Sequence, residues 1–99
     1  MQNNINKSFD MATAIKAVDQ FGGTENEDVM VWLRDLIFVG EAAGWEENEI
    51  CRVAVVSLKG KARSWASQVL SGKLSELNLS TLVELLKKRF GSSRMGDTH

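Results

Sequence analysis

The chain has no proline and no tyrosine, and it carries one cysteine and one histidine. Each shortage removes a class of function. Cys51 alone makes no internal disulfide and no zinc knuckle; set among Ile50, Val53 and Ala54, it reads as a small hydrophobe. The histidine is His99, the last residue, so Ser–His, Cys–His and histidine–metal arrangements have nothing to build on. No apolar run approaches the ~20 residues of a membrane span, and Met1 to Lys7 is polar and Asn-rich, unlike a secretory signal. An intracellular, cytoplasmic protein is the expectation. Charge of one sign is also missing. Lys and Arg number 12 against 13 Asp and Glu, whereas a domain that neutralises phosphates carries a basic excess. The local cluster Lys59, Lys61 and Arg63 reads as a solvated helix start with at most weak RNA contact.

What is present suits one small globular domain. The 99 residues are 43% hydrophobic and 25% charged, enough to build a core without staples. With proline absent, breaks are read from glycine and from capping residues. The apolar spacing between those breaks is helical, and no sustained two-residue alternation occurs. The expected fold is all-α, a compact bundle of about five helices. Residues 1–20 form an N-terminal segment with a short amphipathic helix, residues 21–91 the lobe, and residues 92–99 a flexible tail.

Five segments follow. The first runs from about Phe9 to Val18, with Ser8 as N-cap and Met11, Ala14, Ile15 and Val18 on one stripe. The second runs from about Glu25 to Ala43. Thr24 and Glu27 fit a capping box there, Val29, Trp32, Leu33, Leu36, Gly40 and Ala43 face inward, and Gly44 ends it. The third, about Glu47 to Leu58, starts among Glu46, Glu47 and Glu49 and is apolar nearly all round through Val56, which puts it at the centre. Those acids read as a helix start rather than a metal site, and no cofactor is expected. The fourth, about Lys61 to Leu70, lines up Ala62, Trp65, Ala66 and Val69. The fifth, about Thr81 to Phe90, has Ser80 as N-cap and Gly91 as its close. Neither glycine-containing turn has phosphate-loop spacing, and no acid, base and nucleophile converge, so catalysis is not expected.

Several of these features occur together as a pattern. Phe21-Gly22-Gly23-Thr24, Val29-x-x-Trp32-Leu33, Leu58-Lys59-Gly60-Lys61-Ala62-x-x-Trp65 and Leu82-x-x-Leu85-Leu86-x-x-x-Phe90 follow in order. The chain thereby resembles the N-terminal lobe of gypsy-type LTR retrotransposon Gag capsids, over Phe21 to Phe90. The resemblance implies a five-helix capsid lobe that makes lateral contacts within capsomers. A C-terminal capsid lobe would be its partner in the full protein, and domesticated Arc-like relatives also bind partner peptides. Phe21, Trp32, Leu33, Leu58, Gly60, Ala62, Trp65, Leu86 and Phe90 are then core. Phe21 pins the chain entering the second helix, Gly60 and Ala62 let the third and fourth meet closely, and Trp65 fills the space between them. The sequence departs from the pattern at Leu79, where the family often has tryptophan, and the second lobe and its zinc knuckle are absent from it.

The second helix carries more apolar residues than one face holds. At ~100° per residue, Val31, Phe38 and Ala42 lie opposite the Trp32, Leu33 and Leu36 side, flanked by Arg34 and Glu41 on one edge and Asp35 on the other. Two explanations stand. Either Met11, Ile15 and Val18 of the first helix cover this stripe, or Met11, Ile15, Val18, Val31, Phe38 and Ala42 together make an interface with a second copy or a host peptide. A monomeric adaptor that binds a peptide beside the second helix is the competing function. A DNA-binding domain is disfavoured by the net charge of −1.

Overall fold

The computed structural model describes residues 9–91. Ser8, the Met1 to Lys7 stretch and the expected tail at 92–99 lie outside them. Five α-helices appear in this span: α1 (Met11–Lys16), α2 (Val29–Ala43), α3 (Glu47–Val56), α4 (Gly60–Val69) and α5 (Leu79–Leu86). A 3₁₀ turn, Leu74–Glu76, precedes α5, and a π-helical turn, Lys87–Gly91, continues it. The all-α bundle is as expected.

The core sits around α3, which packs against α1, α2 and α5. Val53 and Ala54 are fully enclosed, and Ile50 and Cys51 nearly so. The apolar-all-round reading therefore holds for most of this helix. Val56 departs from it and is exposed. Residues from both sides of the expected boundary at position 20 share the core, since Ala14 and Val18 belong to the same cluster as Leu33, Leu58 and Leu82.

Several helix starts differ from the sequence expectation, each for a local reason. α2 begins at Val29, not near Glu25, because the Asp28 carboxylate accepts from the amides of Met30 and Val31 at 3.0 and 3.3 Å. Thr24 and Glu27 do pair, but they close a loop. The Glu27 carboxylate accepts from the Thr24 amide (2.9 Å), its hydroxyl (3.0 Å) and the Gly22 amide (3.1 Å). α5 likewise starts two positions earlier than expected, capped by Asn78, whose side chain accepts from the Thr81 amide at 2.8 Å; Ser80 lies inside the helix. At the other end of α2, Gly44 takes the left-handed conformation and closes the helix as expected. Tight packing then follows immediately. A Cβ on Gly40 would come 2.6 Å from Ile50 and 2.9 Å from Trp45, so α2 and α3 approach as closely as a bare glycine allows.

Candidate assembly surface

Phe21, Trp32, Leu58, Ala62, Trp65 and Phe90 meet at one junction. Phe21 and Leu58 form a parallel β-bridge: the Phe21 amide donates to the Ser57 carbonyl at 3.0 Å, and the Lys59 amide donates to the Phe21 carbonyl at 2.9 Å. The Ala62 amide adds a third bond, to the Gly22 carbonyl at 3.2 Å. The segment before α2 is thereby laid into the turn between α3 and α4. Around it the aromatic rings form a row. Phe21 stacks on Trp32 (centroids 5.2 Å apart) and meets Phe90 edge-on (5.5 Å), and Phe90 meets Trp65 edge-on (5.5 Å). The indole N–H of Trp32 donates to the Asp19 carbonyl at 2.7 Å, which satisfies its one polar atom. Phe21, Trp32, Leu33, Leu58, Ala62 and Leu86 are buried, and Trp65 and Phe90 are half-buried.

One expectation at this junction needs correction. Gly60 is exposed, and a Cβ there would lie 3.7 Å from the nearest atom, so it is not a close helix contact. Its φ of +54° is what requires glycine, because α4 starts from a left-handed residue. Trp65 is packed against the core and meets the Phe90 ring edge-on. Gly23 completes the arrangement, pressed so close to the Phe90 ring that a Cβ would come within 2.7 Å.

On the outside of α2 the picture reverses. Phe38 is 68% exposed and Val31 54%, with Ala42 also exposed. α1 does not cover this stripe as one reading had it. It packs on α3 instead, with Phe9 edge-on to Trp45 at 5.9 Å. The six expected interface residues therefore divide. Val18, at 9% exposure, is core; Met11 and Ile15 are half-buried against the core; Val31, Phe38 and Ala42 form an open ridge. Beside the ridge is an open groove of about 590 Å³, lined by Phe21, Val31 and Trp32 together with polar residues that include Asp19, Asp28 and Asp35.

No family model, curated protein or solved structure matches the chain. The chain's own chemistry must then carry the functional reading. Cys51 is buried, and burial pushes its thiol up to about 11, so at neutral pH it is a protonated hydrophobe and not a nucleophile. Among the described residues no group of three or more His, Cys, Asp or Glu side chains comes together as a metal site, and no helix is long and apolar enough to cross a membrane. The Lys59, Lys61 and Arg63 cluster lies exposed at the start of α4, as expected, and one of its members has a further structural role. Arg63 folds back and donates to the carbonyls of Leu58 and Val56, both at 2.8 Å, closing the end of α3.

Sequence reasoning missed a second apolar opening. Val55, Val56, Ala66, Leu70 and Leu74 line a groove of about 270 Å³. The available signal was Leu74, an isolated leucine between Lys73 and Ser75 in a stretch without helical periodicity. For Val56 the signal was a helix apolar on more sides than neighbours can cover.

Proposed function

We propose that this domain is a structural self-assembly module, the N-terminal capsid lobe of a retrotransposon-derived Gag protein, which forms capsomer contacts and catalyses nothing. The observation that carries this reading is the ridge on α2: a phenyl ring more than two-thirds exposed, in line with Val31 and Ala42, on a rigid helix. Leaving such a stripe in water costs free energy, and burying it against another molecule recovers about 25 cal/mol per Å². The Gag-like pattern supports the reading by a separate route. Its residues explain the core junction, and none of them is needed for the ridge. RNA has at most a weak part here, with charge balanced and Arg63 engaged in closing α3. The cytoplasm is the proposed compartment, and further copies of this chain and the C-terminal capsid lobe are the proposed partners.

Light scattering behind size-exclusion chromatography, over a wide concentration range, tests the proposal. The mass should rise above monomer with concentration. Phe38→Asp should abolish that rise while leaving stability within about 0.5 kcal/mol, as expected for an exposed position. A wild-type protein that stays monomeric at millimolar concentration overturns the reading, and so does a Phe38→Asp protein that unfolds. The groove beside α2 favours one second reading, a monomeric adaptor for a partner peptide. Its lining of aspartates and two aromatic side chains suits a basic, partly apolar peptide, and binding of such a peptide by a strict monomer in a titration would favour this reading.

A further inference from the structure

A ridge is half of a contact, and the molecule carries a second exposed apolar site. Among the described residues the large exposed hydrophobics fall in two places. Met30, Val31 and Phe38 lie on α2; Val56, 38% exposed, and Leu74, 49% exposed, lie on the groove between the end of α3, α4 and the 3₁₀ turn. This groove holds about 270 Å³, and an apolar cavity of about 150 Å³ already takes a benzene ring. A phenylalanine side chain therefore fits it.

The charges around the two sites are opposite. Among the described residues no carboxylate lines the groove. Arg63 does, held in place by its bonds to the Leu58 and Val56 carbonyls. Arg52 lies beside Val55 and Leu74 in the adjoining hollow, and Lys73 directly precedes Leu74; Glu76 is the nearest acid along the chain. The ridge is bordered by Asp35 and Glu41 with Asp28 at the start of the helix, against Arg34 alone. Ridge and groove share no residue: Val31, Phe38 and Ala42 are not among the side chains that line the groove.

We propose that the α3–α4 groove receives the α2 ridge of a second copy of this chain, with Phe38 seated against Val56, Leu70 and Leu74. This rests on the self-assembly reading and adds to it the receiving site and the polarity of the contact. The contact is heterologous, head to tail: each copy offers a ridge on one side and a groove on another. Such contacts close into rings or run on as open chains, whereas an α2-to-α2 contact would stop at a two-fold dimer.

Two variants test it, Phe38→Asp to disable the ridge and Leu74→Asp to disable the groove, each checked by thermal melting. Val56→Asp is a second lesion in the groove should Leu74→Asp melt early. By light scattering, each variant alone should be monomeric at concentrations where the wild-type mass rises. An equimolar mixture should regain association and stop at the mass of a dimer, because it pairs one intact ridge with one intact groove and leaves two disabled sites outside. A mixture that stays monomeric overturns the head-to-tail contact. Groove variants that assemble like wild type overturn it too, and in that case the self-assembly reading survives. A monomeric wild type removes both.

Discussion

Trp32 and Phe38 share one helix and have opposite surroundings. Trp32 is stacked, hydrogen-bonded and 8% exposed, while Phe38 stands in solvent. Both are large aromatics on a regular α-helix, so neither propensity nor residue type separates them. Their angular position does. The Trp32 face meets the segment at Phe21, which the bridge to Leu58 holds in place, and nothing among the described residues covers the Phe38 face. A residue's contribution to folding in this lobe is therefore set by which side of α2 it occupies, and the two sides should respond to mutation in different observables.

The largest effect is expected on the inner side. Phe21→Ala removes the ring that links Trp32 to Phe90 and empties the middle of the aromatic row, at a cost of about 3–5 kcal/mol. Chemical denaturation should show a correspondingly lower midpoint, and a loss under about 1 kcal/mol would mean that the row is not the centre of the junction. A middle-sized effect is expected at Gly40→Ala. The added methyl must displace Ile50 or Trp45, which costs roughly 1–3 kcal/mol through overpacking and shows in the same denaturation. Association through the outer ridge should persist wherever that variant remains folded.

The smallest effect concerns the loop before α2. Amide donation from Thr24 holds the Glu27 carboxyl below its ordinary value of 4.5, with further lowering by the Gly22 amide, the Thr24 hydroxyl and Lys59, against an opposing effect of burial. Because the folded value is the lower one, Glu27 stabilises the fold above about pH 4.5, and this contribution fades as pH falls through the folded value. Glu27→Gln should cost roughly 0.5–1 kcal/mol at neutral pH, solvent screening keeping it small. The gap between wild type and variant should narrow in melts below pH 4; a gap constant with pH would remove the charge from the explanation.

Much of the fold was legible because the helical periods are long and α3 is apolar on nearly every side. Gly44 as a stop and most of the inward face of α2 were also readable from spacing alone; Ala43, expected to face inward, is exposed in the last turn. The starts of α2 and α5 were not. Thr24 and Ser80 are good caps by type, but Asp28 and Asn78 compete for the same role nearer the helix, and only geometry decides which side chain reaches the free amides. The β-bridge left no trace in the periodicity, since a single pair of residues has no repeat to detect. At the surface, the Phe38 ridge could be located by helical angle, yet its exposure depended on where α1 docks. That docking is a tertiary choice between α2 and α3. The groove at Val56 and Leu74 assembles from three separate elements, and its local signals, an isolated leucine and a helix apolar on too many sides, do not say that the two meet.

The bridge between Phe21 and Leu58 also has a consequence for time. Helices α2 and α3 draw on neighbours in the chain and can form within about a microsecond. The bridge joins positions far apart in sequence, so it must wait for the intervening helices to fold back and for a long loop to close. In a nearly all-helical lobe, the slow event is then the meeting of two short extended pieces. The aromatic row, which depends on Phe21, is then expected to assemble only when that meeting occurs.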